Sequence, residues 1–122
     1  MNLLLDTNFV ISFLKGEEDS LRILSDSSSV AVSFITKIEL LCYNVDKEEE
    51  NKIKEFLDNV DVLFPDDDTI KYTIEIRKNT GLKLPDAVIA AQSRQYDLTL
   101  ATYDKELSKK VRGLDVSKVV GM

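Results

Sequence analysis

Residues 2–14 read NLLLDTNFVISFL, a stretch that indicates a buried strand followed at once by a helix. From Leu3 the run is continuously apolar up to Asp6, which is typical of a strand covered on both faces of a parallel sheet. The apolar residues that follow have helical spacing and are Phe9, Val10, Phe13 and Leu14. A strand that leads directly into a helix predicts a βα unit, and such units build α/β folds.

The alternation of strand and helix continues along the chain without a long linker or a repeat. Further strands are predicted at residues 30–32, 60–64 and 98–103, with a possible edge strand at 116–120. Helices are predicted around residues 21–24, 33–43, 46–59, 66–81, 85–91 and 105–111, and the helix from Pro85 is apolar nearly all round. The sequence therefore predicts one domain over residues 1–122, a three-layer α/β/α fold around a mainly parallel sheet of four to five strands.

Composition excludes several kinds of chemistry. The 122 residues contain no His and one Cys, which excludes zinc and haem sites as well as Ser-His-Asp and Cys-His catalysis. Any metal must therefore be bound by oxygen, and Mg²⁺ and Mn²⁺ are the candidates. Cys42 has no partner for a disulfide and is expected to be a small core residue. With no signal peptide or membrane span in the sequence, we expect a cytoplasmic protein.

The charge is unevenly distributed along the chain. The net charge is −6, yet residues 1–70 carry 16 acidic and 6 basic residues while residues 71–122 carry 6 acidic and 10 basic ones. The C-terminal half could present a basic face to phosphate groups although the whole chain is acidic. Ordinary surface variation explains the same imbalance and stays open as the alternative.

Four carboxylates stand in surroundings that do not suit a solvated surface charge. Asp6 ends the first strand, and Asp104 follows the fourth strand at the same edge of the sheet. Glu39 lies beside an apolar stripe with no cation three or four residues away, and Asp86 opens the most apolar helix. Capping or the helix dipole would explain each Asp alone, but Glu39 has no such explanation. Converging carboxylates repel one another unless a cation lies among them, so the set predicts one or two Mg²⁺ ions.

The four acids lie in segments whose order and spacing resemble the PIN-domain family, and within it the VapC-type toxins of prokaryotic toxin–antitoxin pairs. The resemblance spans essentially the whole chain. One departure is Leu107, which stands where many relatives carry an aromatic residue. The matching segments are Leu5-Asp6-Thr7-Asn8, Ile35-Thr36-Lys37-Ile38-Glu39-Leu40, Leu84-Pro85-Asp86-Ala87-Val88-Ile89-Ala90-Ala91 and Thr102-Tyr103-Asp104.

The resemblance implies an endoribonuclease that depends on Mg²⁺ or Mn²⁺ and cleaves RNA phosphodiesters with metal-activated water. It implies that Asp6, Glu39, Asp86 and Asp104 hold one or two ions, with Asn8 and Thr102 as polar supports. It further implies a homodimer and a small antitoxin, which we expect in an apolar groove near Phe9, Phe13 and Leu21. The basic half is the expected RNA-docking face, with Lys83, Arg94, Lys105, Lys109, Lys110 and Arg112 as candidates.

Other functions fit the sequence less well. A phosphoacceptor receiver module needs an Asp at the end of the third strand, where this chain has Phe64-Pro65. A haloacid-dehalogenase-type phosphatase needs a second acid two residues after Asp6, where this chain has Asn8. A PIN-like domain that binds a partner without catalysis remains open, although the chain has all four acids.

Overall fold

Five parallel strands form the central sheet, in the order β3-β2-β1-β4-β5. The computed structural model describes residues 1–114 and 118–121. The strands are β1 (Asn2–Leu5), β2 (Ser29–Ser33), β3 (Asp61–Leu63), β4 (Thr99–Ala101) and β5 (Val119–Val120). The helices of the described residues are α1 (Thr7–Leu14), α2 (Glu18–Ser25), α3 (Phe34–Leu41), α4 (Lys47–Asp58), α5 (Asp67–Thr80), α6 (Leu84–Gln95) and α7 (Lys105–Gly113). The predicted fold class is confirmed.

The order in which successive strands are added to the sheet reverses next to β1. From β1 the chain moves outward to β2 and β3, then returns through α5 and α6 to place β4 on the other side of β1. In open parallel sheets, the crevice outside the carboxyl ends of the strands at such a reversal is the usual ligand site. Here that crevice follows the ends of β1 and β4, where Asp6 and Thr102 lie.

The core has two halves because side chains alternate along each strand. Leu3 and Leu5 face α1, α2 and α4, in a cluster that includes Phe9 and Phe56. Leu4 faces the opposite side, in a cluster with Ile89 of α6 and further side chains of α5 and α7. Helix α6 is buried from Ala87 to Ser93, as its apolar sequence predicts. The sheet is thus covered on both faces, which gives the three layers.

Several details differ from the sequence prediction. Strand β4 has three residues instead of six, because Asp104 already caps α7 and the chain turns at Thr102. The prediction that Cys42 is buried is wrong: it is the exposed C-cap residue of α3, beyond the part of that helix that packs on the sheet. Residues 116 and 117 of the predicted edge strand lie outside the described residues. No helix in the described part of the chain is long and apolar enough to cross a membrane.

Candidate functional site

Asp6 is held at the carboxyl end of β1 by two side-chain hydrogen bonds. Its Oδ1 accepts from the backbone N–H of Phe9 at 2.8 Å, which caps α1, and its Oδ2 accepts from the hydroxyl of Thr102. Only 5% of the residue is exposed. Burial raises the pKa of Asp6 from 3.8 to about 6, against the lowering effect of those hydrogen bonds, and the charges of Asp86 and Asp104 add to the rise. A buried carboxylate is thus kept close to like charges.

Asp104 is connected to Asp6 by hydrogen bonds to the same residue, Thr102. Its Oδ1 accepts from the backbone N–H of Leu107 at 3.0 Å and caps α7, while its own backbone N–H donates to Oγ1 of Thr102 at 3.0 Å. The Thr102 hydroxyl therefore donates to Asp6 and accepts from the backbone of Asp104. Thr102 is fully buried, so this connection is protected from water.

Glu39 reaches the site from α3 and is held by a residue that sequence reasoning missed. The hydroxyl of Thr7 donates to Glu39 Oε1 at 2.7 Å, and Thr7 Oγ1 lies 3.1 Å from Oγ1 of Thr36. Thr7 follows Asp6 directly in the sequence, and Thr36 precedes Glu39 by one helical turn. The signal in the sequence that could have identified these two threonines is their position within one helical turn of a candidate acid.

Asp86 projects from the third position of α6 and caps nothing. The N-cap residue of α6 is Lys83, and no side-chain hydrogen bond closes that end of the helix. The half-buried carboxylate of Asp86 has a raised pKa, chiefly through burial and then through the charges of Asp104 and Glu39, while Lys83 lowers it. Among the described residues no hydrogen bond reaches this carboxylate.

The four acids thus share one electrostatic field. The charge of Asp86 acts on Asp6, and the charges of Asp104 and Glu39 act on Asp86. Within residues 1–114 and 118–121, no three acidic side chains already form the compact group that binds a metal. The donor set nonetheless fits a hard cation, because it consists of carboxylate oxygens. Burial makes the ionised form of Asp6 costly, and a bound cation would offset that cost.

The candidate basic residues are not all near the acids. Lys83 begins α6 beside Asp86, and a shallow cavity of about 340 Å³ on α7 is lined by Lys105, Ser108, Lys109 and Arg112. Lys110 is paired with Glu106 at 2.9 Å. Except for Lys83, these cations lie on α7, the helix that Asp104 caps.

The structure does not bring Arg94 to the acids. It lies in the last turn of α6, eight residues and roughly 12 Å along the helix from Asp86. There it pairs with Glu75 at 3.4 Å and stacks 4.5 Å from the ring centre of Tyr72. Asn8 is exposed on α1 and, within the described chain, makes no side-chain hydrogen bond to an acid.

The expected docking groove is present, but Phe9 does not line it. Phe9 is fully buried and stacked on Tyr103, with ring centres 5.0 Å apart, so this part of the prediction is wrong. Leu21 is exposed on α2 but outside the cavities. One cavity of about 460 Å³ includes Phe13, Leu14, Leu24 and Phe56, and a neighbouring one of about 380 Å³ includes Leu14, Leu40, Tyr43 and Ile53.

The edge strand β5 approaches the site where only glycine fits. Val120 accepts a hydrogen bond from the backbone N–H of Thr102 at 3.0 Å. The next residue, Gly121, has φ +97°, and a Cβ atom there would lie 2.6 Å from the carbonyl oxygen of Thr102. Any larger residue at 121 would therefore displace the backbone that orients the Thr102 hydroxyl.

We expect Gly121→Ala to lower the free energy of unfolding by about 1–3 kcal/mol, because the backbone conformation and the contact are both unfavourable. Gly113→Ala is the matched control, since no atom lies within 4 Å of a Cβ there, and it should be neutral or slightly stabilising. Thermal and denaturant unfolding of both variants measures the difference. Equal stabilities of the two variants would contradict this view of the β5 edge.

Comparison with known proteins gives a consistent result. A family model described as PIN domain matches residues 3–113. The fold is similar to a toxin–antitoxin complex from Klebsiella pneumoniae, with a TM-score of 0.82, 26% identity, and coverage of 98% of this chain and 96% of that chain. Comparison with curated protein sequences gives no match.

Two further structures share the fold at lower identity. The chain is similar to VapBC2 from Rickettsia felis bound to a promoter DNA fragment, with a TM-score of 0.79, 19% identity, and coverage of 98% and 97% of the two chains. It is similar to DNA-bound VapBC from Salmonella typhimurium, with a TM-score of 0.79, 20% identity, and coverage of 98% and 96%.

Proposed function

Because the chain belongs to the PIN domain family, we propose that it is a metal-dependent endoribonuclease and the toxin of a type II toxin–antitoxin pair. The observation that carries the proposal is that the charge of Asp86 acts on Asp6, and those of Asp104 and Glu39 act on Asp86, at the point where the order of the sheet reverses. Such a group repels itself without a cation and suits one or two divalent ions when they bind. A protein that cleaves RNA in this way would act in the cytoplasm.

The proposed ligands of Mg²⁺ or Mn²⁺ are Asp6, Glu39, Asp86 and Asp104. Bound there, the ion would lower the pKa of a water molecule and neutralise charge on the scissile phosphate. Thr102 would keep the carboxylates of Asp6 and Asp104 at a fixed separation, since its hydroxyl contacts both residues. The chain has no His, so the proton of the attacking water would go to a carboxylate or to metal-bound water.

Incubation with RNA in Mg²⁺ or Mn²⁺, followed by EDTA, tests this function. Cleavage that EDTA abolishes supports the nuclease, whereas partner binding without cleavage supports a catalytically silent PIN-like domain. Labelling by acetyl phosphate would support the receiver alternative instead. That alternative gains no support from Asp66, the first acid after β3, because its carboxylate caps α5 and accepts from Thr69 and Gln95.

The proposed RNA-docking face follows α7 away from Asp104, with Lys83 on the neighbouring helix. We expect Lys105→Ala with Lys109→Ala to weaken RNA binding and to reduce the slope of log K against log salt by roughly 1.4, or 0.7 for each lost phosphate contact on a single strand. Lys47→Ala on α4 is the control and should leave the slope unchanged. Filter binding at several salt concentrations measures it, and an unchanged slope in the double variant would place the docking face elsewhere.

The proposed site for an antitoxin is the apolar trough between α1 and α4. Its two cavities share Leu14 and Lys52, so they lie side by side. The trough includes Tyr43, whose pKa is raised by burial and then by the charge of Glu39, so a helix lying in the trough would approach that acid. The similar structure from Klebsiella pneumoniae is a toxin–antitoxin complex. Co-purification with the product of the neighbouring upstream gene is the test.

A different surface, on α5, suits the proposed homodimer. Ile70 and Ile74 are 56% and 52% exposed and share a stripe of α5 with Asp67 and Arg77. An antiparallel second copy of α5 would set Ile70 against Ile74 and Asp67 against Arg77, each pair twice. Such self-complementarity is what a two-fold interface requires. The exposed side chain of Leu84 lines the same apolar cavity as Ile70 and Ile74 and extends the apolar area.

We expect Ile74→Glu to raise the dimer dissociation constant on the order of a hundredfold, because the two-fold axis removes two buried isoleucines at once. Leu21→Glu, an exposed apolar residue on α2, is the control and should leave the dimer intact. Arg77→Asp should weaken the dimer, and adding Asp67→Arg should restore it. Light scattering against concentration measures all four, and a wild-type monomer at high concentration would contradict the interface.

A further inference from the structure

The Thr7 hydroxyl connects the first turn of α1 to the Glu39 carboxylate on α3. It lies 2.7 Å from Glu39 Oε1 and 3.1 Å from Oγ1 of Thr36. A hydroxyl carries a single proton, and the shorter contact to a charged acceptor takes it. The Thr36 hydroxyl must then donate to Thr7, which gives a directed chain from Thr36 through Thr7 to Glu39.

We propose that Thr7 is a positioning residue that sets the carboxylate of Glu39 relative to Asp6. The inference rests on the proposed function and concerns the same site. Asp6 caps α1 and Thr7 is the first residue of that helix, so one turn of backbone carries both an acid and the donor that orients a second acid. Glu39 comes from another helix, 32 residues along the chain from Thr7.

Burial of the two threonines makes this connection stiff. Thr36 is fully buried and Thr7 is 9% exposed, so water has little access to either hydroxyl. Thr36 fixes the rotamer of Thr7, and Thr7 engages only Oε1 of Glu39. Among the residues that the structure describes, no hydrogen bond reaches the second oxygen, Oε2, which leaves it for a cation. Hydrogen bonds behind a metal ligand typically change metal affinity or activity 10–100-fold when they are removed.

The test replaces the hydroxyl without changing the shape of the side chain. We expect Thr7→Val to raise the Mn²⁺ concentration at the midpoint of the metal-induced rise in melting temperature by roughly 10–100-fold, and to lower kcat with little change in the KM for RNA. Thr7→Ser keeps the hydroxyl and should restore both. Thr73→Val is the matched control, because that buried hydroxyl donates within α5 to the carbonyl of Thr69 and touches no acid.

A double-mutant cycle separates positioning from a general structural effect. If Thr7 acts through Glu39, then Thr7→Val added to Glu39→Gln should not change the Mn²⁺ midpoint further. An equal loss in both backgrounds, or a wild-type midpoint in Thr7→Val, would overturn the inference. If Thr7→Val does not fold, Thr36→Val replaces it. That variant frees the Thr7 rotamer and should raise the midpoint less, and a wild-type midpoint would again overturn the inference.

The outcome for Thr7 is distinguishable from the outcome for the proposed function. Wild-type protein that cleaves RNA only with metal, together with a Thr7→Val variant that binds Mn²⁺ normally, overturns the positioning role alone. Wild-type protein without a Mn²⁺-induced rise and without cleavage overturns the proposed function, and the positioning role with it. The Mn²⁺ midpoint needs no RNA and therefore reports on Glu39 independently of turnover.

Discussion

Asp86→Asn is expected to reduce metal-dependent RNA cleavage by about a hundredfold or more, because it removes a charged oxygen ligand from the centre of the acidic group. Asp86 is the best acid for this test since its charge interacts with the other three candidate acids and it caps no helix. The fold should therefore survive the change. Initial cleavage rates at saturating Mn²⁺ measure the loss, and melting in EDTA should give a temperature at or above that of the wild type.

A matched control separates the site from the helix dipole. Asp68 lies exposed in the first turn of α5, as Asp86 lies in the first turn of α6, and each interacts favourably with the N-terminus of its helix. Asp68→Asn removes the same interaction at a place outside the acidic group and should leave cleavage unchanged. A wild-type rate for Asp86→Asn, or equal losses in the two variants, would show that Asp86 serves the helix and not catalysis.

The fold was predictable because its signals are local. An apolar run covered on both faces, a capping Ser33 and the αL glycine that ends α5 at Gly81 each act within a few residues. Depth of burial was less predictable. Helical spacing puts Phe9 and Phe13 on one face of α1, but only the folded core, which includes the ring of Tyr103, makes Phe9 fully buried and leaves Phe13 at the groove.

The candidate acids were predictable as residues but not as a geometry. For Asp6, capping and site membership were weighed as alternatives, whereas the structure uses Oδ1 for the cap and Oδ2 for Thr102. Asp6 and Thr102 are 96 residues apart, so their contact exists only in the folded sheet. The Thr7–Glu39 hydrogen bond is equally non-local. Local patterns identify which carboxylates lack a partner nearby, but not the hydroxyl that folding brings to each one.

In EDTA, we expect the free energy of unfolding to depend on pH because of the titration of Asp6. Its pKa in the folded state is about 6 and its ordinary value is 3.8. Between these values the folded state binds more protons than the unfolded state, so the stability that Asp6 contributes is fully present below about pH 4 and is lost as pH rises through 6. The loss at pH 7 amounts to up to about 3 kcal/mol, from 1.36 kcal/mol for each pKa unit.

Asp6→Asn removes this titration while an amide oxygen can still cap α1. We expect the free energy of unfolding of this variant, relative to wild type in EDTA, to grow between pH 4 and pH 7 by up to about 3 kcal/mol. Asp66→Asn is the control with the opposite sign, because hydrogen bonds from Thr69 and Gln95 lower the pKa of that helix-capping carboxyl. Its difference from wild type should move towards lower relative stability as pH rises through the ordinary range of Asp.

Metal should reverse the behaviour at Asp6. A cation favours the ionised carboxylate, so Mn²⁺ should stabilise the wild type more at pH 7 than at pH 5, where a proton competes for the same oxygens. A hundredfold excess over the dissociation constant gives about 2.7 kcal/mol for one site absent from the unfolded chain. Asp6→Asn should lose most of that gain, although it is the more stable protein in EDTA. Urea unfolding at several pH values, with EDTA or Mn²⁺ at matched ionic strength, measures both effects. Parallel pH curves for wild type and Asp6→Asn, with equal gains from Mn²⁺, would show that Asp6 is a helix cap and no part of a metal site.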